Sequence, residues 1–373
     1  MSIKFTNLKI SRARTIRPDG YRFPEGLNSG TPKDIDHETV PFSTGGTVTY
    51  TPTKVVHTFT GTGELRTFFT TNYEQGNLYE YIDSLDPLTA DILLVGGGGS
   101  GGTGTQNPPN PGHYHGGGGG AGGLVYTSGL SISKNQPYIV VVGGGGNGAY
   151  GSGTPSAFGN NVVGFPTHPF AGADCQTRPQ GYNGAGYKAP NSPGEAGSII
   201  SLGGGVGGAM NHHGSPGGSG GGSGRSPTNP EPGQGVSGQG NNGFAGGGPG
   251  GGAAPNPTTV PGVPADQQNE ACNGLEYSIS GSPVYYAGGG GGAPHQGSCN
   301  GIPGGYGGGG KGENAHSCIP QGISMPASDK AGQINRGGGG GGSGVGSAGG
   351  TGGSGIVVIA IDKTTQISGF DIN

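Results

Sequence analysis

Histidines in the irregular segments of this chain are the side chains best suited to binding a metal ion. His113 and His115 are separated by one residue, so an extended backbone would place both imidazoles on one face, and His212 and His213 form a second pair. A structural zinc site needs four ligands, and the sequence places no third ligand beside either pair. These histidines and His295 are therefore predicted to be polar loop residues that contact solvent or a binding partner. No metal ion is expected.

Two glycine patterns match motifs that bind nucleotides or activate a nucleophile. Residues 96–101 and 143–148 satisfy Gly-x-Gly-x-x-Gly after an apolar strand, but a dinucleotide site also needs a helix to begin there. Residues 103–109 contain two consecutive prolines and cannot begin that helix. Residues 98–102 and 217–221 match Gly-x-Ser-x-Gly, again with no helix to follow. Because a chain with 95 glycines produces such matches by chance, no cofactor is expected.

The acidic residues and cysteines also do not favour an enzyme. No close pair of carboxylates resembles a glycosidase dyad. The chain has four cysteines, Cys175, Cys272, Cys299 and Cys318. None of them belongs to a Cys-x-x-Cys pair, so they are predicted to be free thiols or to form one or two disulfides between loops. The sequence therefore predicts a non-enzymatic protein.

Aromatic residues are frequent in the irregular segments between glycine tracts. Some of these rings will cover the ends of the glycine-rich structure, and the others will form exposed surfaces rich in Tyr, His and Asn. Rigid aromatic contacts beside adaptable hydrogen bonds are typical of protein paratopes, and aromatic rings also stack on sugars. The residues predicted to contact a partner are His113, Tyr114, His115, Phe165, Tyr182, Tyr187, His212, His213, Tyr285, Tyr286 and His295.

The elements that must position these residues are short apolar strands joined directly to glycine tracts. Residues 91–95 lead into the tract at 96–99, residues 138–142 lead into 143–146, and residues 356–361 follow the last tract. Glycine tracts alone are typical of disorder, but strands at both ends and a net charge of only −4 indicate structure. With further strands rich in β-branched residues, including two separated by a turn at Ser128–Gly129, they predict an antiparallel β-sandwich.

The tracts themselves are predicted to form polyglycine-II helices. An α-helix would cost about 1 kcal/mol for each interior glycine, and the tracts lack the strict triplet period of collagen. Extended threefold helices without Cβ atoms can approach closely on all sides and hydrogen-bond to their neighbours. The predicted fold class is therefore all-β: a small antiparallel β-sandwich with an inserted polyglycine-II bundle, long irregular loops and essentially no α-helix.

Charge and hydropathy exclude two classes of partner. The 17 Lys and Arg residues are spread thinly, so nucleic-acid binding is not expected. No apolar stretch is long enough to cross a bilayer, and the first residues lack the apolar region of a signal peptide. Neither membrane insertion nor Sec-dependent secretion is expected.

The strand-and-tract elements resemble the glycine-rich domain of bacteriophage tail proteins. The resemblance covers about residues 55–362 and rests on the opening strand at 57–63, the elements at 92–102 and 116–126, and the closing segment at 352–359. The tracts are also similar to those of the polyglycine-II tip adhesins of T-even-like phages. The resemblance implies a virion tail or tail-fibre protein, made in the host cytoplasm, whose loops bind a host cell-surface protein or glycan.

The predicted organisation has four parts. Residues 1–50 form a virion-attachment segment that contacts other tail proteins, residues 51–142 and 355–362 form the sandwich, residues 143–354 form the bundle with its loops, and residues 363–373 form a C-terminal tail. A homo-oligomer is compatible with the symmetry of a phage tail. The alternatives are a structural virion decoration without a receptor and an extracellular glycine-rich structural protein. An ice-binding bundle is disfavoured because it would need regular Gly-x-x repeats.

Overall fold

The structure, a computed structural model, describes twelve ranges of the chain. These are 42–68, 88–104, 115–133, 137–148, 151–154, 156–159, 198–225, 230–256, 272–293, 301–314, 325–344 and 347–362. The strands are β1 (Phe42–Thr44), β2 (Thr47–Tyr50), β3 (Lys54–Phe59), β4 (Gly63–Phe68), β5 (Leu88–Val95), β6 (Leu124–Ile132), β7 (Pro137–Val141), β8 (Ser156–Gly159), β9 (Ser198–Ser201), β10 (Leu275–Tyr277), β11 (Val284–Tyr286) and β12 (Ile356–Asp362). Within these ranges the only helix is α1 (Ala327–Lys330). Most of the predicted attachment segment and all of the C-terminal tail lie outside them.

Two five-stranded antiparallel sheets form the sandwich. The first sheet has the order β2-β3-β12-β5-β6 and the second has the order β1-β4-β7-β8-β9, while β10 and β11 form a separate hairpin. Strand β12 comes from the far end of the chain and lies at the centre of the first sheet, with Ile359 opposite both His57 and Ile92. The predicted all-β class and the return of the closing strand are confirmed. Strands β8 and β9 lie within 143–354, the range that the sequence predicts as the bundle.

The first sheet is buried on both faces. One face packs against the second sheet, where Ile92, Leu94 and Ile359 contact Leu65 and Val140 in a single apolar cluster. The other face packs against the β10–β11 hairpin and the start of the bundle in a second cluster. Burial on both faces explains why β5 and β12 are continuous apolar runs rather than alternating ones.

The turn predicted at Ser128–Gly129 is wrong, because these residues lie within strand β6. The strand continues through these residues, and its register against β5 shifts between Ala90 and Ile92, which marks a β-bulge. Gly129 has a φ of 66°, and its amide donates to Asp91 Oδ1 at 3.1 Å. The residues that would favour a hairpin turn favour a bulge equally well, because both require a positive φ.

His57 is a fully buried polar residue in β3. Its Nδ1 contacts Gly45 O at 2.8 Å and its Nε2 contacts Ser43 Oγ at 2.7 Å. Burial disfavours the imidazolium and lowers the pKa of His57, although the hydrogen bond to Gly45 partly opposes this shift. The histidine is therefore part of the sandwich interior.

The glycine tracts form a bundle with a three-residue hydrogen-bond period. All seven amides from Gly96 to Gly102 donate to backbone carbonyls of other tracts. Gly96, Gly99 and Gly102 donate to Gly123, Gly120 and Gly117; Gly97 and Ser100 donate to Thr154 and Gly151; and Gly98 and Gly101 donate to Gly353 and Gly350. Successive residues therefore face three different neighbours in turn, as threefold polyglycine-II geometry requires.

Carbonyl groups of the same tract accept from three further tracts. The amides that donate to residues 97–102 belong to Gly146, Gly204, Gly207, Gly340 and Ser343. The tract 96–102 thus has six neighbours, which is hexagonal packing. The tract 116–123 is surrounded in the same way, by 96–102, 202–208, 219–222, 248–251, 290–293 and 337–343. The predicted polyglycine-II bundle is therefore present in the structure.

Serine replaces glycine at fully buried positions of several tracts. Ser100 Oγ accepts from Gly151 N at 3.1 Å, and Ser223 Oγ accepts from Gly246 N at 3.0 Å. Ser343 Oγ donates to Glu313 Oε2 at 2.7 Å. A small side chain that forms its own hydrogen bond can therefore be accommodated where the surrounding backbone leaves room for it.

Candidate functional site

The candidate site is the end of the bundle opposite the sandwich, called here the distal end. It is marked by backbone hydrogen bonds that join neighbouring tracts at one level. Ser343 N donates to Gly102 O at 2.9 Å, Gly116 N donates to Ser343 O at 2.9 Å, and Ala293 N donates to Gly116 O at 3.2 Å. The segments 105–114, 226–229, 294–300, 315–324 and 345–346 each connect tracts whose described ends lie at this level.

Three of the predicted contact histidines lie at the distal end. Gly224 N donates to His212 O at 3.0 Å, and the next amide, of Arg225, donates to His115 O at 2.9 Å. His213 Nδ1 accepts from Glu231 N at 2.9 Å and so holds one end of the segment 226–229. His115 is buried, whereas His212 and His213 are half-buried, so only the latter two can offer part of their surface to a partner.

A buried carboxylate fixes another part of the distal end. Glu313 is fully buried and its Oε2 accepts from Ser343 Oγ at 2.7 Å, Ser347 Oγ at 3.0 Å and Gly344 N at 3.0 Å. Its Oε1 accepts from Met325 N at 2.8 Å. These four donors flank the segments 315–324 and 345–346, so one side chain positions the ends of two loops.

Lys330 of α1 completes this cluster. Its Nζ lies 3.9 Å from Glu313 Oε2 and donates to Ser347 Oγ at 2.9 Å and to Ala348 O at 3.0 Å. Burial by itself raises the pKa of Glu313, but the hydrogen bonds from Ser343 and the backbone, with the charge of Lys330, outweigh it and lower the pKa. Glu313 is therefore held as a carboxylate.

The structure provides no metal centre or membrane-spanning helix among the residues it describes. In these ranges no group of three His, Cys, Asp or Glu side chains could hold a metal ion. No helix found there is long and apolar enough to cross a membrane. Cys272 is a buried free thiol, and burial raises its pKa to about 12. The other three cysteines lie outside the described ranges.

A family described as Glycine-rich domain matches residues 74–362, which is most of the chain and includes the tracts of the bundle. The chain belongs to the glycine-rich domain family. A comparison with curated proteins finds no significant match.

Two of the remaining predicted contact residues, Tyr285 and Tyr286, are described, and they lie in different surroundings. Tyr285 is exposed on β11 and its ring centroid lies 5.8 Å from that of Tyr306. Tyr286, the next residue, points to the opposite face and is only 3% exposed, so it is a core residue rather than a surface contact. The others, His113, Tyr114, Phe165, Tyr182, Tyr187 and His295, lie outside the described residues.

The residues that organise the distal end of the glycine-rich domain are not apparent from the sequence. Glu313 and Lys330 are 17 positions apart, and Ser343 lies in another tract. Their proximity depends on which tracts are neighbours in the bundle, and glycine has no side chain that could indicate those neighbours. A lone acidic residue after a glycine tract was the only available signal.

Proposed function

We propose that the protein is a non-enzymatic component of a phage tail or tail fibre and binds the host cell surface through loops between its glycine helices. The observation that carries the proposal is the common level of the tract ends at the distal end. Loops that begin and end on a rigid scaffold at one level can form a continuous recognition surface. The partner would be a host cell-surface protein or glycan.

The construction of the bundle supports a role in presentation. A scaffold held by backbone hydrogen bonds in six directions leaves almost no side chains for chemistry within it, so specificity must come from the loops. The resemblance of the strand-and-tract elements to phage tail proteins favours a virion location. Residues 1–50 are predicted to dock the protein to other tail proteins, and because residues 42–50 supply β1 and β2 to the sandwich, the part of this segment before β1 would do so. A homo-oligomer would multiply the number of distal ends.

Adsorption of the purified protein to bacterial cells tests this proposal. We expect fluorescently labelled protein to bind at least one strain in a panel and to compete with phage infection of that strain. Replacing residues 105–114 and 294–300 by Gly-Ser segments of equal length should weaken binding by about tenfold or more. These segments hold the predicted contact residues His113, Tyr114 and His295, and a few contact residues carry most of the affinity of an interface.

The Tyr306→Ala variant is the matched control, because it removes an exposed ring at the sandwich end of the bundle. It should bind cells as the unaltered protein does. The proposal that the distal loops bind the host is wrong if no strain is labelled. It is also wrong if the loop replacements bind as strongly as the control. A structural role in the virion or an extracellular structural role would then be favoured.

A further inference from the structure

A groove on the sandwich, remote from the distal end, has the composition of a ligand site. It lies between the turn that joins β2 to β3 and the tip of the β10–β11 hairpin, and it encloses about 690 Å³. Small-molecule sites are typically concave clefts of about 300–1,000 Å³ with aromatic walls and a few convergent polar groups. The groove is therefore large enough for a ligand of several rings.

Three tyrosines supply the aromatic walls of this groove. Tyr126 on β6 and Tyr277 on β10 have ring centroids 4.9 Å apart with an angle of 38° between their planes. Tyr126 is 41% exposed, and Tyr50 at the end of β2 is 65% exposed. Exposed aromatic rings in a concave site offer flat apolar surfaces next to polar hydroxyl groups.

Lys54 and Asp91 form the charged part of the groove and belong to a cluster of one lysine and two carboxylates. Lys54 Nζ lies 2.9 Å from Asp91 Oδ2 and 2.6 Å from Asp362 Oδ1, so its positive charge already has two carboxylate partners. Asp91 Oδ1 also accepts from Gly129 N at 3.1 Å. One lysine and two carboxylates carry a net negative charge, which repels an anionic ligand. Of the two carboxylates only Asp91 lines the groove, and a cation there would compete with Lys54 for it. The local charge therefore favours a neutral ligand.

Hydroxyl groups line the rest of the groove. They belong to Thr49, Thr51, Thr53, Ser278, Ser280 and Ser282, and they alternate with Pro52, Ile279 and Gly281. Hydroxyl groups can donate and accept hydrogen bonds, as can the hydroxyls of a sugar. The groove therefore fits a polyhydroxylated ring compound better than an apolar one. Its tyrosine rings can stack on sugar rings, and Lys54, Asp91 and the hydroxyl groups can form hydrogen bonds with sugar hydroxyls.

We propose that this groove binds a short neutral oligosaccharide, with its sugar rings stacked on Tyr50 and Tyr126 and its hydroxyls bonded to Lys54 and Asp91. The site is on the sandwich and does not depend on the distal loops. If the groove binds no oligosaccharide, the proposal of host binding by the distal loops still stands. If the distal loops do not bind the host, the proposal for the groove still stands.

Saturation-transfer NMR followed by calorimetry can test the groove on the full chain. The probes are maltotriose, cellotriose, mannotriose and triacetylchitotriose, with 3′-sialyllactose as the anionic comparison. At least one neutral trisaccharide should bind with a Kd of about 1 mM or tighter. The Tyr50→Ala variant should weaken that binding by about tenfold, whereas Tyr50→Phe should retain it because the ring remains.

Tyr306→Ala again serves as the control, because it removes an exposed tyrosine that does not line the groove. It should leave the Kd within about twofold, which corresponds to less than 0.5 kcal/mol. The proposal is overturned if none of the four neutral trisaccharides binds to the folded protein. It is equally overturned if Tyr50→Ala binds as well as Tyr306→Ala, or if 3′-sialyllactose binds more tightly than every neutral probe.

Discussion

The Gly98→Ala variant is expected to melt roughly 6–12 °C below the unaltered protein. It should lose about 3 kcal/mol of unfolding free energy, and each kcal/mol lowers the melting temperature by roughly 2–4 °C. Gly98 is buried in the tract 96–102, and a Cβ there would overlap the carbonyl oxygen of Gly338. That carbonyl is already fixed by a hydrogen bond from Gly353 N at 2.8 Å. Backbone cannot rotate away as a flexible side chain can, so two tracts would have to separate.

Two adjacent glycines at the edge of the bundle provide the comparison for this experiment. Gly144 is exposed, and a Cβ there would meet only Thr154 Oγ1, at 3.8 Å. Gly144→Ala should therefore be neutral, or stabilising by up to about 1 kcal/mol through reduced freedom of the unfolded chain. A Cβ at Gly145 would overlap Gly352 O, so Gly145→Ala should melt at a lower temperature than Gly144→Ala. Equal melting temperatures in differential scanning calorimetry for all three variants would contradict close packing.

The Glu313→Gln variant is expected to lose about 3 kcal/mol of unfolding free energy at pH 7, because it leaves Lys330 buried without its counter-charge. The amide also replaces one carboxylate oxygen, which now accepts hydrogen bonds, with a donor. Urea unfolding followed by circular dichroism measures the loss. The matched control is Glu64→Gln, because Glu64 pairs with Arg66 on the surface and its loss should cost at most about 1 kcal/mol.

The stability that Glu313 contributes depends on pH in a defined direction. The pKa of Glu313 is below its ordinary value of 4.5 in the folded protein, so the unfolded chain binds its proton first as the pH falls. The stability from the carboxylate is therefore fully present above about pH 4.5 and is lost as the pH falls through the folded pKa. The difference between the unaltered protein and Glu313→Gln should shrink below pH 4.5. A difference that stays constant from pH 7 to pH 3 would show that the charge of Glu313 contributes nothing.

Much of the scaffold could be predicted because its elements are local in the sequence. The apolar runs of β5 and β12 and their direct attachment to tracts indicate buried strands, and consecutive glycines exclude a stable α-helix. The three-residue period follows from the absence of Cβ atoms. The turn predicted at Ser128–Gly129 was wrong because a bulge has the same residue preference, so only the pairing of β6 with β5 distinguishes the two.

The lateral order of the tracts could not be predicted. One glycine tract presents the same backbone on every side, so its neighbours are determined by where the chain enters and leaves the bundle. For this reason the sequence predicts neither the cluster at Glu313 nor the groove between Tyr50, Tyr126 and Tyr277. Their members are close only after the tracts and strands are assembled.

The candidate contact residues were chosen by residue type, and the structure separates the described ones by position. His212 and His213 lie at the distal end, whereas Tyr285 lies on the hairpin beside the sandwich. Alternation along β11 turns Tyr286 into the core, a consequence that needs the strand assignment before it can be seen. Composition thus indicates the kind of surface, and topology decides which residues form it.

Hydrogen exchange of the amides from Gly96 to Gly102 tests most directly whether the glycine tracts form a hydrogen-bonded bundle. All seven amides donate to backbone carbonyls of neighbouring tracts, so we expect each to exchange about a thousandfold or more slowly than in an unfolded chain. The turn residue Gly61, where an added Cβ would meet open space, is the internal reference and should exchange rapidly. Exchange of the seven amides at the rate of an unstructured polyglycine peptide would contradict the bundle.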